Sequence, residues 1–168
     1  MQLDILHYSA DLHPDISTKK ITGTVEITYL LTGDQHEFYL DKGELEIINI
    51  TGSNIKGFEL VGNQLLIKLT TSSIDTNNVI IDYKGSPSKG LFFDRENNHA
   101  YTVYFTDHWM VNNFDISDKA TIELRIKVDN GIECFSNGVL KNKKKSVSTL
   151  FIIGYRITKP LPIPLGLF

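Results

Sequence analysis

The chain reads as an all-β protein: a two-sheet sandwich or saddle of mostly antiparallel strands with little helix. Three observations predict this. Apolar residues recur at every second position through most of the 168 residues, the period of a strand with one buried face. Turn-forming clusters rich in Gly, Asn, Asp and Pro separate the alternating stretches. No stretch of ten or more residues carries an amphipathic helical pattern. More than about 40% strand is expected, against a base rate of about 20–25%.

The strands follow in order. Leu6, Tyr8, Ala10 and Leu12 alternate, and Leu12-His13-Pro14-Asp15 reads as the turn after them. Ile21, Gly23, Val25, Ile27, Tyr29 and Leu31 form the next face and end at Thr32-Gly33-Asp34. A short strand lies before Asp41-Lys42-Gly43, and Leu65, Ile67 and Leu69 follow the turn Val61-Gly62-Asn63. Val79, Ile81 and Tyr83 form another face, then Tyr101, Val103 and Phe105. The longest clean run is Ala120, Ile122, Leu124, Ile126 and Val128, with Ile122, Leu124 and Ile126 pointing inward. Asp129-Asn130-Gly131 and Asn137-Gly138 supply turns near the end, because Asn and Gly both tolerate positive φ. A strand is expected from Ser146 to Ile153.

Composition bounds the function. A formal charge of -3 gives no electrostatic footprint for nucleic acid. The single cysteine, Cys134, excludes an internal disulfide and reads as a half-buried strand thiol. No apolar run is long enough to span a membrane as a helix. The opening MQLDILHYSADL has neither a basic start nor an apolar core, so no leader is read there and a cytoplasmic location is expected.

Two segments break the strand pattern. The loop from Asp107 to Asp118 holds the only Trp, Trp109, with Met110, Phe114 and three aspartates. Large apolar groups in a long loop must pack on something. Either Trp109 and Phe114 plug the end of this domain's own core, or they rest on a neighbouring domain. The second segment, residues 159–168, is apolar and Pro-rich and ends in Leu165, Leu167 and Phe168. It reads as a junction from a domain of residues 1–158 toward further chain. If that neighbour is missing, Trp109, Met110 and the tail form an apolar patch through which copies self-associate.

Catalytic chemistry is sought and not found. His36-Glu37-Phe38-Tyr39-Leu40 begins like a zinc-binding HExxH helix, but its fifth residue is Leu40 and its setting is a strand. His7, His13, His99 and His108 show no ligand spacing. Gly85-Ser86-Pro87-Ser88-Lys89-Gly90 fails the spacing of a phosphate loop and reads as a connection between strands. Asp115 and Asp118 read as solvated or capping carboxylates. Lys141, Lys143, Lys144 and Lys145 read as a solvated hairpin tip.

Several motifs nevertheless fall in a characteristic order. Thr106-Asp107, Phe114-Asp115, Lys119-Ala120-Thr121 and Ser136-Asn137-Gly138-Val139-Leu140 follow a Tyr-Thr strand at Tyr101. Upstream stand Tyr8-Ser9-Ala10-Asp11-Leu12, Ile21-Thr22-Gly23-Thr24-Val25-Glu26-Ile27, Ile81-Asp82-Tyr83-Lys84-Gly85 and Gly90-Leu91-Phe92-Phe93. The set resembles the N-terminal β-domain of the aminopeptidase N family of zinc peptidases and spans almost the whole chain. The family's catalytic motifs, Gly-Ala-Met-Glu-Asn and HExxH with a distant Glu, are absent from these residues. Where the family often carries Gln or Glu to hold the substrate's amino group, Thr102 and Tyr104 stand here, so that role is not carried over. The family's Pro-Cys-Phe-Asp-Glu-Pro loop becomes Asn112-Asn113-Phe114-Asp115-Ile116-Ser117.

The resemblance implies a non-catalytic domain that packs on a catalytic domain and closes one side of its substrate cleft. Its partners would be that missing domain and the parent's peptide substrate, with no nucleic acid and no membrane. The zinc would belong to the missing domain, with no catalytic residue, metal ligand or cofactor in this chain. Trp109, Met110, Phe114, Thr102, Tyr104 and Phe168 are the residues expected to face the neighbouring domain or the cleft. The other reading is a free-standing β-sandwich binding module for protein or carbohydrate.

Overall fold

The computed structural model describes residues 3–72, 75–129, 132–144 and 148–154. Strand accounts for 57% of the chain, and no α-helix occurs among the described residues. Among the described residues twelve strands follow in order. They are β1 (Leu3–Asp15), β2 (Lys20–Leu31), β3 (Glu37–Asp41), β4 (Glu46–Thr51), β5 (Ile55–Val61) and β6 (Gln64–Leu69). Then come β7 (Asn77–Gly85), β8 (Leu91–Asp94), β9 (His99–Thr102), β10 (Thr121–Val128), β11 (Val139–Lys144) and β12 (Ser148–Gly154). A 3-10 turn spans Thr106–His108.

Seven strands form the large sheet, in the order β11-β12-β10-β1-β2-β7-β4. Its neighbours pair antiparallel except β1 and β10, which run parallel from Tyr8 opposite Ile122 to Leu12 opposite Ile126. A parallel pair needs a long crossover, and here most of the chain lies between the two strands. A three-stranded sheet, β3-β6-β5, packs on the large one, and β8 and β9 form a separate hairpin. The core is one continuous cluster. Val25, Ile27, Tyr29, Val79 and Ile81 of the large sheet and Phe38, Leu40, Leu65 and Ile67 of the small one are fully buried. The Tyr29 and Phe38 rings meet across the layers at 4.6 Å.

The alternating faces of β2, β6, β7 and β10 are buried as their sequences predict, including Ile122, Leu124 and Ile126. Three details differ. Leu6 points outward and Ile5 inward, because a bulge between Ile5 and His7 shifts the phase of β1. The turn placed at Leu12–Asp15 begins later. Pro14 stays in β1 opposite Ile21, and the Asp15 carboxylate turns the chain by accepting bonds from the Ser17 hydroxyl (2.6 Å) and the Thr18 N–H (3.0 Å). The face assigned to Tyr101, Val103 and Phe105 is inverted: Ala100 and Thr102 are buried while Tyr101 and Phe105 are exposed. Cys134 is half-buried, in a connection rather than a strand. The junction at residues 159–168, with Leu165, Leu167 and Phe168, lies outside the described residues, as does Lys145 in the basic run.

Candidate functional site

The stretch from Tyr101 to Asp118 leaves regular structure and carries the largest share of unusual features. It begins on the β8–β9 hairpin. Leu91 and Thr102 face one another on the inner side of that hairpin, and Phe92 and Tyr101 on the outer side. The outer pair is stacked with ring centroids 5.4 Å apart, and the His99 ring lies 6.1 Å from Tyr101. Period-2 alternation identifies the two faces of this hairpin but not which is buried. That is why the sequence alone misplaces Tyr101 and Phe105.

Past Val103 the backbone takes two consecutive left-handed residues, Tyr104 (φ 46) and Phe105 (φ 44). Bulky residues rarely adopt this region, and such strain persists where the surroundings impose it. Here the surroundings are close. The Val103 N–H donates to the Gly90 carbonyl at 2.9 Å, and Gly90 (φ 80) lies so near the Phe105 carbonyl that no Cβ would fit. Both aromatic rings project outward, Tyr104 at 52% exposure and Phe105 at 45%. The Lys89 ammonium sits 4.7 Å above the Phe105 ring.

The next turn goes inward. His108, Trp109, Met110 and Val111 are buried. Gly43 (φ 50) allows the close approach, since a Cβ there would meet the Asp107 carbonyl at 2.9 Å. The His108 ring lies between two carboxylates, with Nδ1 3.8 Å from Glu44 and Nε2 3.5 Å from Asp107. Glu44 also accepts the Ser88 N–H, and the Ser88 bonds hold its carboxyl below the usual range. Among the described residues, Thr102 Oγ1, His108 Nδ1, Trp109 Nε1 and Asn112 Oδ1 are buried without a hydrogen bond.

The far end of the stretch is pinned to two elements, β3 and β1. Asn112 exchanges backbone bonds with Asp41 at the end of β3, at 2.7 and 3.0 Å. The Asn113 N–H donates to the Tyr8 hydroxyl and the Phe114 N–H to the Asp41 carboxylate, both at 3.0 Å. Burial pushes the Tyr8 phenol well up. Asp118 accepts bonds from the Ile5 N–H and from Asn113 Nδ2 (2.6 Å). Desolvation raises its carboxyl above the usual range. Asp115 instead takes its bonds from Ser117, whose hydroxyl and N–H lower it.

These positions sort the expected site residues. Trp109 and Met110 are only 2% exposed and Thr102 3%, so all three belong to this domain's own core and offer no surface to a neighbour. Tyr104 and Phe114, each 52% exposed, project from it. Trp109 is thus the core plug, Phe114 is not, and the apolar patch drawn through Trp109 and Met110 does not form. Phe105, Phe92 and Tyr101 join the exposed set without having been singled out beforehand. The only signal for them was aromatic density.

Among the described residues no three His, Cys, Asp or Glu side chains stand together as a metal site. No helix there is long and apolar enough to cross a membrane. A shallow cavity of about 420 Å³ opens on the outer face of the large sheet, between His13, Thr22 and Lys127. Part of its charged wall is already committed: Arg125 grips Asp11 twice at 2.7 Å, and Asp82 accepts the Thr24 hydroxyl at 2.6 Å.

No family model matches the chain, and no curated protein does. Solved structures do match. The M1 zinc metallopeptidase from Deinococcus radiodurans superposes with a TM-score of 0.79 at 18% identity, covering 98% of this chain and 41% of that one. Yeast LTA4 hydrolase in complex with bestatin gives 0.76 at 15% identity, covering 98% of this chain and 28% of that one. Identity this low speaks for the fold alone.

Proposed function

We infer from the fold, which is that of an M1 aminopeptidase N-terminal domain and spans well under half the length of the peptidases it matches, that this chain is one domain of a larger polypeptide. From that premise we propose that it is the non-catalytic front domain of an aminopeptidase N-like zinc metallopeptidase. It packs on the catalytic part of the same polypeptide and closes one side of the substrate cleft. The observation that carries this is the projecting edge of Tyr104, Phe105 and Phe114, held by strained backbone and by bonds to β1 and β3. A surface built this rigidly and left apolar fits a neighbour.

In this reading the zinc ligands and the catalytic Glu belong to the rest of the parent, since the described residues carry no donor set for the metal. The zinc would activate a water for attack on the peptide carbonyl. This chain's residues would exclude water from one side of the cleft. A cytoplasmic location, peptide substrates, and no nucleic-acid or membrane partner complete the proposal. The coding sequence past codon 168 tests it. An HExxH followed by a distant Glu supports the reading, and a stop codon at that point removes it.

One observation favours the second reading, a free-standing binding module for protein or carbohydrate. The exposed Phe92–Tyr101 stack is a flat aromatic surface of the kind sugars and side chains pack on. Glycan-array binding that Tyr101→Ala abolishes would support it.

A further inference from the structure

Among the described residues, no strand pairs with the outer edge of β5, one border of the small sheet. β3, its other border, is met at its last residue by the backbone exchange between Asp41 and Asn112. The borders of the large sheet are each broken by an irregularity, at Ile47/Asn49 in β4 and at Leu140/Asn142 in β11. β5 is interrupted only near its start, between Ile55 and Gly57, and then runs regularly from Gly57 to Val61. Phe58 is 42% exposed, Leu60 57% and Val61 46%. A long, apolar, unpaired edge is a template for another strand.

The register identifies which backbone groups are available. β5 and β6 are joined by the two-residue turn Gly62-Asn63, so Val61 and Gln64 exchange backbone bonds. Bonding alternates along an antiparallel pair. Glu59 therefore bonds inward to β6, while Phe58 and Leu60 turn their N–H and C=O groups outward. A second β5 running antiparallel can use them in the register that places Phe58 opposite Phe58 of the second copy. Gly57 then faces Glu59 of that copy, and Lys56 faces its Leu60.

The side chains suit this register. Phe58 and Leu60 share a face with their β6 partners Ile67 and Leu65, which are fully buried. Pairing would extend that apolar strip across the two-fold axis. On the opposite face Lys68 already pairs with Glu59, and Lys68 lies opposite Gly57. Nothing lies within 4 Å of the space a Gly57 side chain would occupy. Lys68 can therefore reach across Gly57 to Glu59 of the second copy, a span of about two strand spacings, or roughly 10 Å. Each Glu59 would stand between two lysines, and no like charges would oppose one another.

We infer that β5 is a self-complementary edge through which two copies of this chain pair into one continuous six-stranded sheet, β3-β6-β5-β5-β6-β3, with closed two-fold symmetry. The surface is distinct from the Tyr104–Phe114 edge assigned to the catalytic part, and the inference does not depend on that assignment.

Amide exchange followed by NMR on the 168-residue chain tests it, with sedimentation velocity over the same concentrations. As the sedimenting mass doubles, exchange at Phe58 and Leu60 should slow by about tenfold or more, while Glu59 and Val61, already bonded to β6, stay unchanged. Leu60→Pro removes only an outward N–H and should leave a monomer with an intact strand spectrum. Phe58→Lys should do the same through repulsion at the axis, and serves if the proline variant does not fold. A chain that stays monomeric, or that associates with no change at Phe58 and Leu60, overturns the inference. So does a folded Leu60→Pro or Phe58→Lys variant that dimerises as well as the parent sequence.

Discussion

The Asp118 carboxylate accepts the backbone N–H of Ile5 at 3.1 Å, joining residues 113 positions apart. The bond fastens the end of the aromatic loop to the strand bulge that turns Ile5 inward. It also gives the loop a defined response to pH. Desolvation first, and then the neighbouring Asp4, raise the Asp118 carboxyl in the folded state. A raised folded value favours the protonated form. Its contribution to stability is complete below the unfolded value and is lost as pH rises through the folded one. The stability of the chain relative to Asp118→Asn should therefore be greater near about pH 4 than near about pH 7, bracketing the ordinary Asp value from neutrality. Denaturant titration of both proteins at the two pH values checks this, and a difference of the opposite sign rejects it.

Gly23 and Tyr83 are direct partners in β2 and β7, and a Cβ on Gly23 would come within 2.5 Å of the Tyr83 hydroxyl oxygen. Gly23→Ala should destabilise by about 1–3 kcal/mol, as overpacking a filled core does. The Tyr83 hydroxyl is buried without a hydrogen bond. Tyr83→Phe should thus be neutral or stabilising, but should not rescue Gly23→Ala, because the ring carbon Cζ that Phe keeps would itself lie 2.6 Å from the added Cβ. A double-mutant cycle measures the coupling.

Trp109 is 2% exposed and surrounded by this domain's own core. Trp109→Ser should cost about 3–5 kcal/mol, the range for truncating a buried aromatic. It should not remove self-association at concentrations where the variant remains folded. Chemical denaturation and sedimentation on the same protein separate the two effects.

Tyr104 and Phe114 should behave in the opposite way. Replacing either with Ser should change stability by no more than about 0.5 kcal/mol, as exposed positions do. In the full-length peptidase proposed above, the same substitutions should raise KM for a peptide substrate or loosen the contact between domains. Limited proteolysis at the domain boundary and steady-state kinetics are the readouts. Unchanged kinetics together with unchanged proteolysis would remove these residues from the interdomain role.

Much of the fold was legible in the residues. The alternation in β2, β7 and β10 identified core positions because a strand with one wet face needs a period of two, and those strands lie in the middle of the large sheet. Motif order pointed to the same all-β domain. The phase of that alternation was not legible wherever a bulge or a detached hairpin intervened. Ile5 rather than Leu6 is buried because the bulge beside them is held by a carboxylate from beyond residue 110. Tyr101 lies outside because β8 and β9 pair only with each other, so the packing beneath the hairpin selects its inner face. The aromatic loop shows the same division. Its composition announced that Trp109, Met110 and Phe114 must be covered or used. Only the tertiary structure decided that the first two are core and the third is surface. That choice depends on the room Gly43 leaves beneath His108, and on bonds from Asp41 and Tyr8 that no local pattern encodes.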